Sequence, residues 1–224
     1  MAGLHGVHAL VAFDRWSALS LSARYCVGLD EAGRGPLAGP LAVALYVFDT
    51  ECDIPAMDVN DSKKMSHARR EKTHAVLTHN PFYLRCAFVS PADIDSVNIY
   101  RATQRAMESL VSGLPQEIFD NCVCITDAMP LGIADTRIRP LIKADTKSYA
   151  VAAASIIAKV ERDRIMNRLA NEYPDFGFER HKGYPTVEHI EKLRKYGPTP
   201  VHRMSYAPVK NACNRMDQEL FTRD

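Results

Sequence analysis

The chain alternates short apolar runs with amphipathic segments, and this pattern predicts the strands and helices of an α/β protein. Strands are predicted for the apolar runs at residues 25–29, 41–48, 82–89, 121–126 and 139–144. Helices are predicted where apolar residues recur at helical spacing, at residues 67–79, 94–110, 148–172 and 187–196. The 224 residues suffice for one domain with a substantial core, or for one domain with an appendage.

Composition narrows the class of protein only a little. Hydrophobic residues make up 46% and charged residues 25%, which is ordinary for a globular protein. No apolar run approaches the roughly 20 residues of a membrane span, and the first 20 residues lack the pattern of a secretory signal. The six cysteines form no Cys-x-x-Cys pair, so we expect reduced thiols and a cytoplasmic protein.

The net charge of +1 hides an uneven distribution along the chain. Residues 1–136 contain 11 Lys and Arg against 16 Asp and Glu, a balance of −5. Residues 137–215 contain 16 against 8, a balance of +8. An acidic half with metal ligands and a basic half that follows phosphates suits a metal-dependent nuclease, although unequal charge also arises on differently solvated faces.

Two adjacent carboxylates, Asp30 and Glu31, end the first predicted strand, and a segment rich in glycine and proline follows. Burying one anion beside another is costly, and a divalent cation relieves that cost. Carboxylate oxygens suit Mg²⁺ or Mn²⁺. Neighbouring side chains leave opposite faces of a strand, so both can reach one ion only if the glycines let the backbone bend. The alternative is a glycine-rich turn with surface acids.

Two further aspartates stand where ligands collect in an α/β protein. Asp127 follows the strand at 121–126, at the carboxyl end where ligands bind in open sheets. It could instead cap a turn. Asp145 precedes the helix at 148–172 by three residues, so it could be a ligand or only a favourable charge at the helix N-terminus.

Basic and aromatic residues suggest contacts with nucleic acid. Lys63 and Lys64 stand just before a helix start, where phosphate groups bind readily. The segment 176–186 interleaves aromatic and basic residues around Tyr184, a mixture that suits stacking and phosphate contact. A solvated charge cluster and an ordinary core loop are the alternatives. We expect His181 and His202 to be structural or to contact phosphate.

Five segments between residues 25 and 210 resemble, in order, the signatures of the type 2 ribonucleases H, the ribonuclease HII family. They are residues 27–40, Asp-Ser-Lys-Lys-Met-Ser at 61–66, the segment from Lys143 to Val160, His-Lys-Gly-Tyr-Pro-Thr at 181–186, and His-Arg-Met-Ser-Tyr-Ala-Pro-Val at 202–209. Asp127 matches the family's third metal-binding acid. Met65, Thr146 and Pro185 depart from the commoner leucine, serine and glycine, and Pro185 predicts a different loop backbone near Tyr184.

The resemblance implies the ribonuclease H fold, a mixed five-stranded sheet flanked by helices with a small helical C-terminal part. It implies a catalytic domain at residues 25–172 and a substrate-binding part at 173–224. Residues 1–24 lie outside it and receive no functional interpretation.

The resemblance also implies an endonuclease that hydrolyses the RNA strand of RNA–DNA hybrids and nicks duplex DNA 5′ of single ribonucleotides. Two Mg²⁺ or Mn²⁺ ions would be held by four carboxylates, namely Asp30, Glu31, Asp127 and Asp145. Gly33, Arg34 and Gly35 would read the 2′-hydroxyl group, Lys63 and Lys64 would contact substrate, and Tyr184 would pack on the following deoxyribose.

Three alternatives stay open on the sequence. Type 3 relatives carry lysine between the glycines and a longer N-terminal domain, unlike Arg34 and the 24-residue lead here. A non-catalytic hybrid-binding module would gain nothing from four carboxylates. An integrase-like phosphoryl transferase should lack the glycine-arginine-glycine string. We expect a monomer whose C-terminus either contacts a sliding clamp or frays.

Overall fold

A computed structural model describes residues 2–54, 59, 65–79 and 81–221, which divide into two compact units. The first, here called the sheet unit, comprises Met1–Ala32, Ala42–Ala87 and Thr103–Val160. The second, here called the helical unit, comprises Gly33–Leu41, Phe88–Ala102 and Glu161–Asp224. Lys63 and Lys64 lie outside the described residues, so their predicted substrate contact stays a prediction.

The described residues form five strands in one sheet: β1 Tyr25–Ala32, β2 Leu41–Asp49, β3 Tyr83–Val89, β4 Cys122–Asp127 and β5 Ile138–Leu141. Their order across the sheet is β3-β2-β1-β4-β5. β1 is antiparallel to β2 and parallel to β4, which is in turn parallel to β5. The predicted mixed five-stranded sheet is therefore confirmed.

The helices are α1 Ala2–Leu19, α2 His67–His79, α3 Pro91–Val97, α4 Ile99–Ser112, α5 Gln116–Asp120, α6 Tyr149–Glu172, α7 Phe178–His181, α8 Val187–Tyr196 and α9 Ala207–Phe221. Single 3₁₀ turns lie at Ala144–Thr146 and Pro174–Phe176. Three of the predicted helices, α2, α6 and α8, have their expected bounds to within a residue. Thr186 caps α8 as its sequence position predicts, because its side chain accepts a hydrogen bond from the His189 amide.

The single helix predicted at residues 94–110 is wrong, because two helices occupy this segment. Asn98 separates α3 from α4 with a φ of 68° and a ψ of 161°, an extended conformation of positive φ that cannot continue a helix. Its Oδ1 atom then accepts a hydrogen bond from the Arg101 amide at 3.0 Å and so caps the start of α4. The apolar spacing carries across this break, which is why periodicity alone did not reveal it.

The core of the sheet unit is built by α1 and the first half of α6. α1 contacts β1 and β4, and it contributes Val7, Leu10 and Val11 to the buried cluster. Residues 1–24 therefore contain a structural helix. In α6, residues 150–154 are all buried alanine or valine, which lets this helix lie close to the sheet as predicted.

The helical unit has its own buried cluster, formed by residues including Leu37, Phe176, Phe178, Leu193 and Val209. These side chains come from the segment after β1 and from the helices of the last third of the chain. Within the described part of the chain, no helix has the length and apolar character needed to cross a membrane.

Candidate active site

Asp30 and Asp127 lie at the carboxyl ends of two neighbouring parallel strands in the sheet unit. β1 and β4 pair in register up to Leu29 opposite Thr126, so the next residue on each strand is one of the two aspartates. Asp30 is only 6% exposed. Asp127 is the last residue of β4, and Asp30 stands where the pairing of β1 with β4 stops, two residues before the end of β1. Both acids therefore lie at an edge where α/β sheets bind their ligands.

Asp30 is a buried anion with close acidic neighbours. Burial, the Glu31 carboxylate and, less strongly, the Asp127 carboxylate raise the pKa of Asp30 well above its usual range. A hydrogen bond from the Ser155 side chain and one from the Glu31 amide to Oδ1, at 2.7 Å, work in the opposite direction. A bound cation would remove the cost of this arrangement.

Asp145 is brought towards Asp127 by the turn that precedes α6. The Oδ1 atom of Asp127 accepts a hydrogen bond from the Ala144 amide at 2.8 Å. Asp145 is the next residue and is buried in the 3₁₀ turn, which begins after Lys143 in the left-handed conformation. The alternative of a turn-capping Asp127 is therefore partly right, since this carboxylate both ends a strand and holds a turn.

The strand β1 continues through Glu31 without the backbone bend that the sequence predicted. β1 stays paired with β2 as far as Ala32 opposite Ala42, so the side chains of Asp30 and Glu31 point to opposite faces. Among the residues that the structure describes, no three His, Cys, Asp or Glu side chains are arranged so that they could hold a metal ion. The donor chemistry nonetheless fits Mg²⁺ or Mn²⁺, because these hard cations prefer carboxylate oxygens and this edge concentrates them.

The three substrate-reading candidates Gly33, Arg34 and Gly35 begin a loop in the helical unit. Gly33 is buried with a φ of +100°, and a Cβ there would lie 2.1 Å from the Nε atom of Arg162. Only glycine therefore fits at this position. Arg34 and Gly35 are exposed.

Tyr184 lies beside this loop in the helical unit. Its side chain is 42% exposed, and a Cβ on Gly35 would lie 3.6 Å from its ring. The Thr186 amide donates to the Tyr184 carbonyl at 2.8 Å, which makes Pro185 the centre of a three-residue turn. Such a turn needs a φ near −75°, which is close to the value that proline fixes. Pro185 is therefore compatible with an ordered loop at residues 181–186, here called the tyrosine loop.

A chain of buried histidines fixes the tyrosine loop from behind. The Nδ1 atom of His202 accepts from the Thr199 amide at 2.9 Å, so its proton is on Nε2. That nitrogen lies 3.1 Å from Nε2 of His189, whose Nδ1 lies 2.9 Å from the Tyr184 carbonyl. Each ring is therefore neutral. His202 donates from Nε2 to Nε2 of His189, and His189 donates from Nδ1 to the Tyr184 carbonyl. The structural interpretation of His202 is confirmed, and burial lowers the pKa of His189 and of His202 to about 4.

Three buried polar residues that support these segments were not predicted from the sequence: Asp14, Arg162 and Arg203. Arg203 lies inside the 202–209 signature, so its position carried a signal. Arg162 and Asp14 lie on helices whose polar residues face either solvent or core, and the pattern alone does not separate these cases.

The comparison with protein families decides the identity of the chain. A family model described as ribonuclease HII matches residues 27–209, most of the sequence. The chain belongs to the ribonuclease HII family. It is therefore a nuclease of a metal-dependent endonuclease family, as the sequence predicted.

Curated members of the ribonuclease HII family resemble the chain over most of its length. A ribonuclease HII of Bacillus licheniformis is 43% identical over 205 residues, which cover 90% of this chain and 76% of the relative. One of Geobacillus kaustophilus is 40% identical over 198 residues, with coverage of 87% and 73%.

Solved structures support the ribonuclease H fold that ribonuclease HII implies. The ribonuclease H2 of Pyrococcus horikoshii superposes with a TM-score of 0.68 at 28% identity, covering 86% of this chain and 99% of that one. A ribonuclease HII of Archaeoglobus fulgidus, in complex with PCNA, gives a TM-score of 0.63 at 28% identity, covering 81% and 94%. The Bst-RNase HIII in complex with Mn²⁺ gives 0.65 at 18% identity, covering 90% and 73%, and shows the fold alone.

Proposed function

We propose that this chain hydrolyses the RNA strand of RNA–DNA hybrids and nicks duplex DNA on the 5′ side of a single ribonucleotide. The products would carry 3′-hydroxyl and 5′-phosphate ends. The observation that carries the proposal is the pair of aspartates at the ends of β1 and β4, with the Asp145 turn bonded to Asp127. Anions are concentrated there although the substrate is itself an anion, which is useful only if cations bind between them.

In this mechanism Asp30, Glu31, Asp127 and Asp145 would hold two Mg²⁺ or Mn²⁺ ions. When bound, such ions supply an activated water and stabilise the leaving 3′ oxygen. The Ser155 side chain and the Ala144 amide orient Asp30 and Asp127 through the hydrogen bonds described above. No side-chain nucleophile is needed.

Recognition of the substrate would fall to the helical unit. Gly33, Arg34 and Gly35 would contact the 2′-hydroxyl group, which distinguishes RNA from DNA at one nucleotide. The half-exposed ring of Tyr184 would pack on the next deoxyribose. Lys63 and Lys64, which do not belong to the helical unit, would contact phosphate. Arg34 between the two glycines favours the type 2 substrate over that of type 3 relatives.

The test is incubation of the pure protein with duplex DNA that contains one ribonucleotide, in Mg²⁺, in Mn²⁺ and in chelator. We expect a metal-dependent nick 5′ of the ribonucleotide. Cleavage only within longer RNA runs would instead support the type 3 activity and remove the role given to Tyr184. Binding without cleavage in either metal would support the hybrid-binding module.

Asp30→Asn tests the role of the carboxylates. We expect a loss of turnover of about 10³-fold, the scale seen when one main electrostatic stabiliser is removed. Thermal stability should not fall. The raised pKa of Asp30 shows that its charged form is unfavourable in the folded protein, and asparagine replaces it with a neutral amide. The matched control is Asp53→Asn, at an exposed position of the same unit. Full activity of Asp30→Asn would refute the metal assignment.

We also propose that the C-terminus contacts a sliding clamp, with the Archaeoglobus neighbour's complex with PCNA as support. Residues 222–224 lie outside the described part of the chain. A pull-down with the clamp of the same organism, using the full chain and one shortened after residue 219, would test this contact, because the shorter chain keeps the buried Val209 and Ala212.

A further inference from the structure

The guanidinium group of Arg203 contacts the buried side of the loop at residues 33–40, here called the substrate-reading loop. Arg203 is fully buried. It donates to the carbonyl oxygens of Gly33 at 2.6 Å, Arg34 at 3.1 Å and Gly39 at 3.0 Å. It also donates to the Tyr206 hydroxyl at 3.0 Å, and that hydroxyl donates in turn to the Arg34 carbonyl at 2.7 Å. Its Nε atom makes a second bond to the Gly39 carbonyl at 3.1 Å, so all five donors of the planar guanidinium are used. Lysine, with three donors, cannot supply this set.

A second buried guanidinium, that of Arg162, connects this loop with the tyrosine loop. It donates to the Pro40 carbonyl at 2.9 Å and to the Lys182 carbonyl at 3.1 Å. The Leu37 amide adds a backbone bond to the Gly183 carbonyl at 2.8 Å. Burial and the charge of Arg203 lower the pKa of Arg162 to about 10, so it still carries its charge at neutral pH.

The direction of these bonds determines which way the loop amides face. The described chain has no cis peptide bond, and in a trans peptide the carbonyl and the following N–H point in opposite directions. Because the carbonyls of Gly33 and Arg34 face Arg203, the N–H groups of Arg34 and Gly35 face away from it. Two successive N–H groups on an exposed segment form a site for an oxygen acceptor.

We propose that Arg203, supported by Arg162, is a positioning residue that aims the Arg34 and Gly35 amides at the 2′ oxygen of the ribonucleotide. This inference rests on the proposed function. It assigns selectivity for ribose to the buried guanidinium that orients the loop, and it places Tyr206 in the same assembly through its two hydrogen bonds.

The experiment compares kcat/KM on two duplexes that differ at one sugar, a ribonucleotide or its 2′-fluoro analogue, which is a weak acceptor. For Arg203→Lys we expect the preference for ribose to fall at least ten-fold. Tyr206→Phe, a milder change, should shift the preference in the same direction. The control is Val209→Ala, which loosens the core of the same unit and should lower the melting temperature without changing the preference.

The outcomes separate the two proposals. Equal turnover of both duplexes by the wild-type protein would refute 2′-hydroxyl recognition, and with it the proposed function. A wild-type preference that Arg203→Lys and Tyr206→Phe both retain would overturn the positioning role alone. Loss of preference in Val209→Ala to the same degree would show that general loosening, and not loop orientation, sets the selectivity.

Discussion

At the scale of single residues, Asp14 shows how the N-terminal helix supports the segment that carries Asp145. It is fully buried, and its Oδ2 atom accepts a hydrogen bond from the Ala150 amide at 2.8 Å, in the first turn of α6. The side chains of Ser148 and Cys26 also bond to it. A carboxyl group at this end of a helix satisfies amides that have no partner within the helix. α1 thus anchors the start of α6, directly after the Asp145 turn.

Removing this contact should destabilise the sheet unit. We expect Asp14→Ala to lower the free energy of unfolding by about 1–2 kcal/mol, the usual cost of losing a helix cap. Asp14→Asn keeps an oxygen that can accept from Ala150 and should cost clearly less. Urea unfolding of the three proteins at pH 4.5, where the raised pKa keeps this carboxyl group protonated in the folded form, measures the difference. Equal stability of wild type and Asp14→Ala would show that the contact contributes nothing.

At the scale of elements, the packing of α6 on β1 depends on one glycine. A Cβ on Gly28 would lie 2.1 Å from the Ala150 carbonyl carbon and 2.3 Å from the Val151 nitrogen, both of them backbone atoms. Neither atom can move without shifting the helix that follows the Asp145 turn. The alanine-rich start of α6 and the glycine of β1 therefore belong to one close contact.

Gly28→Ala should consequently lower stability by about 3 kcal/mol, at the upper end of the cost of overpacking. Gly6→Ala is the matched control, because a Cβ at that position of α1 meets nothing within 4 Å. It removes a glycine from a helix and should be neutral or stabilising by up to about 1 kcal/mol. Thermal melts of both variants test the contrast, and a similar fall in both would contradict it.

The elements themselves were largely predictable, because periodicity and caps record how each segment is buried. The sheet, α6 and α8 follow from such local signals. The break at Asn98, the helix in residues 1–24 and the bonds of Arg203 do not. They depend on which distant group a side chain meets, such as the Gly33 carbonyl 170 positions away. Among the candidate site residues, the carboxylate positions were predictable, while the groups that orient them were not.

At the scale of the whole molecule, buried groups couple the stability of the two units to pH in opposite directions. The pKa of Asp14 in the sheet unit is raised by burial to about 7 from 3.8, so the folded form binds more protons between these values. Its contribution to stability is lost as pH rises towards 7. The pKa of His189 and of His202 in the helical unit is lowered to about 4 from 6.5. Their contribution is lost as pH falls from 6.5 to 4.

Variants should separate these two effects between pH 4.5 and 6.5. Asp14→Asn removes the contribution that falls with rising pH, so its unfolding free energy should rise with pH more steeply than that of wild type. The limit for one proton is about 1.4 kcal/mol per pH unit. His202→Asn keeps an acceptor for the Thr199 amide but cannot titrate, so its pH dependence should be flatter than that of wild type. Urea unfolding at four pH values measures all three slopes, and parallel slopes would refute the coupling.

Hydrogen exchange resolved by segment gives the second check, because protection of residues 178–206 should fall on acidification while protection of the start of α6 should not.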